Sequence, residues 1–597
     1  MRDKKFKLLE VDLSNEKIQT VDVTSEVRRF VGGRSLGAKL LWDRVPPKAD
    51  PLSAENVLYF GIGPMTGLLG SVTNVSAKSP LTHLRGQSNM NGHFGVEFIY
   101  AGYNSGVIFT GKASRPVYLF IKDSQVEIRD ASHLSGKSGI ETQNLLTEEL
   151  KKEIDDQNIR VAAIGPAGEN MVRNADICHD FYHHAARLGM GTVMGSKKLK
   201  AVVVKGTRSP DYAHPDKVLE IMKKWLHAGR LYRIQNRRWG HTQSMSGRYY
   251  KTVEGIKNKQ KGWDDMCDLF NPVLLEQRYK IWGDACHGCP VACKVPYFMM
   301  GPPLGPFAGE LRHDNAGGWS ANVMIPGYEL QGYLCSYVDY LGLDGEDVSG
   351  VVAWMMECYE KGLVTKEDLG GIDLTWGNVE AICALLKKIA HREGIGDALA
   401  DGLKFAPAKI GKGTEKFAIT GKGVAITSYE PRGSMKDALE LAGTAVGEIH
   451  GARGNPDRIM FDSLTGCSFW RSTVQDIYGS IADWAIQGLH ATCDWKLSQE
   501  DWRLLELRGA TMERCYSIRE GHYVPERDDV MPERFFQETI YNKYNEPKKL
   551  NKEEFLAKRK ELYRSYGLKD DGTPSPEFLE QLGLEFAIPV MEETLKS

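Results

Sequence analysis

The sequence predicts an α+β fold: a strand-rich N-terminal domain followed by two mainly α-helical domains. Three observations predict it. Residues 1 to about 210 carry most of the short β-branched or alternating runs, each bounded by Gly, Pro or Asn. Beyond about 210, apolar residues recur at helical spacing with few strand signals. Glycine is enriched at 62 residues, and much of it sits in clusters before residue 210, where backbone can approach something closely.

In chain order, the strand candidates are Lys7–Leu13, Asn56–Gly61, Gly106–Thr110, Val117–Lys122, Val126–Asp130, Arg160–Ile164 and Ala201–Lys205. An amphipathic helix is expected over Glu141–Ile154, and later helices over Val218–Trp225, Val348–Lys361, Val379–His391 and Asp397–Phe405. Arg233–Lys261 is basic and polar and reads as loop or surface. Boundaries near Ser209-Pro210 and near Ile419–Gly423 divide the chain into 1–210, 211–420 and 421–597. The Met355-Met356 pair reads as core.

Charge is balanced, with 76 basic and 78 acidic residues, so nothing points to nucleic acid or a membrane surface. No apolar run approaches the ~18 residues of a membrane span. The start, Met1 to Lys7, shows no signal-peptide core, which points to the cytoplasm. The 11 cysteines suit a reduced protein with one metal site better than a disulfide framework.

Cys286, Cys289 and Cys293 stand at C-x2-C-x3-C spacing, with Gly288 and Pro290 shaping the loop. Such thiolates converge on a soft metal centre. An iron–sulfur cube and a tetrahedral zinc both need a further ligand from elsewhere, and spacing leaves the two open. Cys178-His179…His183-His184 contains a His pair at i,i+4 that could ligate a second metal on a helix; surface or pocket-lining histidines are the blander reading. Asp339-Tyr-Leu-Gly-Leu-Asp344 and Asp462-Ser-Leu-Thr-Gly-Cys467 echo each other, with Asp first and Leu third. An echo this short also arises by chance.

Several stretches together resemble the tungsten-containing aldehyde:ferredoxin oxidoreductase family, in family order over nearly the whole chain. They are Phe30–Lys39, Lys78–Thr82, Ser88–Gly95, Ala163–Asn170, Arg187–Lys200, the cysteine triplet, Asp339–Asp344, Tyr429–Gly433, Asp462–Cys467 and Arg519–Gly521. The resemblance implies a tungsten (or molybdenum) bis-pyranopterin enclosed by the domains, a 4Fe–4S cluster, and Mg2+ bridging the pterin phosphates. It makes Cys467 the fourth cluster ligand, with Cys493 as runner-up, and the Asp echo a pair of pterin loops. By the same resemblance Asn89 gives its carbonyl to the magnesium.

Physical chemistry suits these roles. Asp339, Asp344 and Asp462 can accept from pterin amino groups. Gly342 and Gly466, with Leu343, let loop backbone come close. Arg187 offers a bidentate fork at the head of the Gly189/Gly191 turn, which can open a helix favouring phosphate; Gly92 belongs to the Asn89 loop. Glu310 and His450 align with the family's active-site acid/base and carbonyl donor. Without the family, Glu310 would read as a surface or helix-start carboxylate and His450 as a core histidine.

The expected activity is oxidation of an aldehyde to a carboxylic acid, with electrons passing to ferredoxin or an iron–sulfur subunit. There are departures from the family pattern. Thr465-Gly466 replaces the usual Gly-Leu. Arg is absent between Pro46 and Leu84, where Arg85 can substitute. The family's inter-subunit metal motif is not evident; a homo-oligomer stays open. Trp42–Pro47 and Glu127–Leu134 look like the ATP-independent benzoyl-CoA reductase branch, which reduces an aryl-CoA ring. That branch has a metal-bound Cys near the position of Glu310, and no Cys lies between Cys293 and Cys335. A zinc-bearing scaffold subunit is the third alternative.

Overall fold

Alternation along the early strands decides how the N-terminal region is layered. The computed structural model describes residues 4–68, 70–156, 158–301, 305–311, 313–427, 429–447, 454–467 and 470–596. One six-stranded sheet contains β1 (Lys7–Asp12), β2 (Lys17–Asp22), β3 (Leu58–Gly61), β4 (Thr73–Lys78), β5 (Arg85–Met90) and β6 (Val107–Thr110), in the order β2-β1-β6-β3-β4-β5. A second contains β7 (Val117–Lys122), β8 (Gln125–Asp130), β9 (Arg160–Ala163), β10 (Ile177–His179), β11 (His183–Ala185) and β12 (Leu199–Lys205), in the order β11-β10-β9-β12-β7-β8. Each sheet has a single parallel pair, β1/β6 and β7/β12.

The two sheets face each other. Leu9, Val11, Phe60 and Phe109 of the first share a core with Val117, Leu119, Val202 and Val204 of the second. Because side chains alternate along a strand, Tyr118, Phe120 and Val203 point the other way. They pack under Leu146, Leu150 and Ile154 of the amphipathic helix α2 (Gly139–Ile154). On the outer face of the first sheet, Leu8 and Ile108 join Leu36, Leu40 and Leu41 of α1 (Gly33–Arg44). The short helix α3 (Met190–Ser196) follows a 3-10 turn at Arg187–Gly189.

The later chain is helical. It includes α4 (Pro215–Tyr232), α5 (Tyr328–Leu341), α6 (Gly345–Glu360), α7 (Pro456–Ser463), α8 (Ile481–Cys493) and α9 (Gln499–Arg519). The hairpin β13 (Pro296–Gly301)/β14 (Gly305–Glu310) follows the cysteine triplet. α9 lies against α1, with Gly509 beside Ser35 and Trp502, Leu505 and Met512 in the same core as Leu36, Leu40 and Leu41, so the C-terminal helices close back over the first sheet. Met355 and Met356 are buried in the α5–α6 core. Among the described residues no helix is long and apolar enough to cross a membrane.

Some expectations are corrected. Arg233–Lys261 is loop only after Tyr250: helices at Ile234–Trp239 and Met245–Tyr250 form because Asn236, Met245 and Tyr249 are buried beneath the polar face. Asp397–Phe405 is helical only through Ile395–Leu399, since Gly402 adopts φ +74° and turns the chain. The His179/His183/His184 run is not a helix. It is the β10/β11 hairpin, with His179 opposite His183, and the left-handed Asp180 and Phe181 make the turn.

Candidate functional site

Cys286, Cys289, Cys293 and Cys467 line one cavity, together with Ser71, Asn91, Arg233 and Trp470. All are free thiols, whereas Cys493 lies in a separate cleft beside Lys4 and Asp211. The triplet loop turns through Gly288 and Ala292, both at positive φ, and is tied to the N-terminal region by the His287 N–H donating to the Gly92 carbonyl at 3.0 Å. Burial pushes the Cys286, Cys289 and Cys293 thiols up. At Cys286 and Cys293 the neighbouring thiols add to that rise. Four such thiols cannot ionise together without a cationic partner, so the donor set fits a metal–sulfur cluster.

Next to Cys467 in sequence, the second Asp loop is locked by charge. Asp462, near the end of α7, accepts from Arg34 Nη1 at 3.0 Å and from Asn89 Nδ2 at 3.2 Å. Arg34 also grips Glu513 of α9, Nε to Oε1 at 3.0 Å, and Arg85 pairs with the same Glu513. Burial raises the Asp462 carboxyl, and Arg34 only partly offsets it. Glu513 ends below its usual range, because Arg34 and Arg85 outweigh its burial. Asn89 sits on β5 opposite Asn74, which donates to its Oδ1 at 2.8 Å.

The first Asp loop is held differently. Asp339 lies in the last turn of α5, and its Oδ1 is 3.4 Å from His184 Nε2. His184 Nδ1 is 2.5 Å from Asp176 Oδ2, so one imidazole stands between two buried carboxylates. Gly342 takes φ +77°, and a Cβ there would sit 2.9 Å from the Gly165 Cα. Leu343 is buried and bridges to Ala175. Asp344 caps α6, accepting from the Glu346 and Asp347 amides, and receives Arg187 Nη1 at 3.3 Å. Burial, and the charges each sees nearby, push the Asp344 and Asp347 carboxyls up despite Arg187.

The glycines differ in role. A Cβ on Gly189 would strike the Arg173 carbonyl and one on Gly191 the Asp176 carbonyl, so both allow close packing of the turn. Gly92, at φ +119°, clears room for Asp180 and His183. In the second Asp loop the left-handed residue is Thr465, at φ +63°, while Gly466 makes space for the Phe461 ring.

Glu310 ends β14 and is buried, its Oε2 3.5 Å from Lys294 Nζ. His450 lies outside the described residues. Arg34 and Glu513 were not singled out from sequence. The only signal was a charged residue opening α1 behind Gly32-Gly33, and Glu513 gave none. The buried Gln87 Nε2 and Asn174 Oδ1 have no hydrogen-bond partner among the described residues. Gln87 shares β5 with Asn89, and Asn174 is bonded to Asp347, so a ligand rich in donors and acceptors fits between the two loops.

Comparison with known proteins places this architecture. The family model "Aldehyde ferredoxin oxidoreductase, N-terminal domain" matches residues 8–206, and "Aldehyde ferredoxin oxidoreductase, domains 2 & 3" matches 218–458 and 455–584. An aliphatic sulfonate oxidoreductase WOR-like subunit from Pyrococcus furiosus is 33% identical, over 97% of this chain and 96% of that protein. A tungsten-containing aldehyde ferredoxin oxidoreductase from the same organism is 30% identical, over 97% of this chain and 98% of that one. A structure of the active-site complex of benzoyl coenzyme A reductase with 1,5-dienoyl-CoA superposes with a TM-score of 0.82 at 27% identity, covering 99% of both chains. The chain is an oxidoreductase belonging to the aldehyde ferredoxin oxidoreductase family.

Proposed function

We propose that this chain is a tungsten-pterin, iron–sulfur enzyme that oxidises an aldehyde to a carboxylic acid. The observation that carries the redox reading is the ring of Cys286, Cys289, Cys293 and Cys467 around one cavity, adjoining the Asp462 loop. In this reading those four thiolates hold a 4Fe–4S cluster. Asp339, Asp344 and Asp462 would accept from two pterins, Arg187 would meet a phosphate, and the Asn89 carbonyl would help hold a magnesium ion. Arg34 holds the second loop directly, and Arg85 supports it through Glu513 and the Arg34 carbonyl.

The bound metal–dithiolene group supplies the two-electron acceptor. The protein residues position substrate and move protons. Conversion of an aldehyde takes oxygen from water and releases two electrons and two protons. Glu310, buried with Lys294 at 3.5 Å, takes one proton and the other leaves to solvent; His450 donates a hydrogen bond to the carbonyl oxygen. A cluster held by Cys286, Cys289, Cys293 and Cys467 would pass the electrons on to ferredoxin or an iron–sulfur partner subunit.

Glu310 favours the aldehyde pocket, as no thiol occurs between Cys293 and Cys335. The near full-length superposition on the benzoyl coenzyme A reductase complex supports a second reading, in which the chain reduces an aryl-CoA ring. The test is metal and sulfide analysis of anaerobically purified protein, beside Cys467→Ser and Cys493→Ser, followed by assays with aldehydes and aryl-CoA esters. About four irons and one tungsten per chain, with iron lost in Cys467→Ser alone, support the proposal. Aryl-CoA turnover without aldehyde turnover selects the second reading. Zinc without iron or tungsten sinks both and leaves a scaffold subunit.

A further inference from the structure

We propose that His214, His490 and Asp494 form a second metal site, of zinc type, on the surface of the molecule and apart from the cysteine cavity. The three come from two elements. His214 is the residue before α4, His490 lies in the last turn of α8, and Asp494 follows that helix in the left-handed conformation. One ligand atom from each falls within 4.8 Å of the others. His214 Nε2 is 2.8 Å from Asp494 Oδ1, and His490 Nδ1 is 3.4 Å from the same oxygen. A tetrahedral zinc with bonds of ~2.0–2.1 Å separates its ligand atoms by about 3.3 Å, so small rotations bring all three into place.

Backbone bonds prepare this convergence. The His214 amide donates to the Ala491 carbonyl at 2.8 Å, and the Asp494 amide to the His490 carbonyl at 3.0 Å. They fix both histidines before any ion arrives, which lowers the ordering cost of binding. Two imidazoles and one carboxylate select zinc, cobalt or nickel over magnesium or calcium. The buried Nδ1 of His490 makes no hydrogen bond among the described residues.

Two lysines oppose the ion, Lys496 by its nearby charge and Lys217 also by contact. Lys217 Nζ is 2.8 Å from His490 Nε2. When Nδ1 takes the metal, the ring proton moves to Nε2 and the exposed lysine must swing away. Lys217 therefore acts as a brake on affinity, and removing it tightens binding. The occupied site clamps the start of α4 to the end of α8. At its other end α4 leads to Arg233, which lines the cysteine cavity.

The experiment is isothermal titration of the purified holoenzyme, its own cofactors in place, with zinc chloride and separately with magnesium chloride. The wild type is expected to bind one zinc with a Kd on the order of micromolar. Magnesium should give no saturable heat. His214→Ala/His490→Ala should abolish the zinc isotherm, and Lys217→Ala should tighten it about tenfold, as outer-sphere changes do. Equal zinc uptake by wild type and the double variant overturns the site. So does an unchanged affinity in Lys217→Ala, which leaves all three ligands intact and stays decisive if the double variant misfolds.

Discussion

The two Asp loops are built on one backbone plan and finished differently. In each, Asp lies near the end of a helix and the fourth residue is left-handed, Gly342 in one and Thr465 in the other. In each, the next amide reaches back five residues at 3.1 Å, Leu343 to the Val338 carbonyl and Gly466 to the Phe461 carbonyl. This is the hydrogen bond that closes a Schellman turn. The sixth residue then diverges: Asp344 caps α6, whereas Cys467 faces the cysteine cavity. The difference teaches that a shared turn can present a carboxylate twice while its exit serves two purposes. Support also differs, with a histidine between carboxylates behind Asp339 and an arginine–glutamate lattice behind Asp462.

If the lattice is the firmer support, breaking it should cost most. Glu513→Gln leaves Arg34 and Arg85 buried with one charge missing and should lose about 3–5 kcal/mol. Arg187→Gln, on the Asp344 side, should lose only about 1–3 kcal/mol. Guanidinium unfolding of the cofactor-free chain measures both, and equal losses would erase the distinction. Glu513 is held below its usual value of 4.5, so its contribution is complete above that value and fades as pH falls further. The gap between Glu513→Gln and wild type should therefore narrow in acid.

The shared turn gives a sharper contrast. Gly342→Ala should cost about 1–2 kcal/mol from its left-handed backbone alone, and more from the close approach to Gly165. Thr465→Gly should recover the left-handed penalty of about 1 kcal/mol and lose a comparable amount with the 2.6 Å Thr66–Thr465 hydroxyl bond, so its net effect should be near zero. A loss in Thr465→Gly as large as that in Gly342→Ala, read by denaturant titration, would show that the two turns are not equivalent.

The smallest effect concerns Asp344. Its raised carboxyl means that the folded chain binds more protons than the unfolded one above the ordinary value of 3.8. Stability is then complete below that value and falls as pH rises through the folded value. Asn caps a helix as well as Asp does. Asp344→Asn should raise the cofactor-free Tm by about 2 °C at pH 8 and leave it unchanged near pH 4. The same variant should retain less tungsten, read by metal analysis.

Legibility followed side-chain chemistry. Val117–Lys122 and Val379–His391 were plain because apolar residues repeat at the strand or helix period. β4 and β5 were not, since Thr-Asn-Val-Ser-Ala-Lys and Arg-Gly-Gln-Ser-Asn-Met bury polar side chains that bond one another instead of solvent. The cysteine triplet and the Asp loops could be named from short motifs. Arg34 with Glu513, and His184 with Asp176 and Asp339, could not, because the partners meet only through the fold. The hairpin at His179–His183 shows the reverse error, in which a helical spacing happened to match a three-residue turn.

Arg34 and Glu513 are 479 residues apart in the chain. At about 5–20 residues per second, a ribosome that has made Arg34 needs roughly half a minute to a minute and a half to reach its partner. Until then the first sheet is made but Asp462, Cys467 and α9 do not exist. The lattice that holds the second loop therefore closes only when nearly the whole chain has been made.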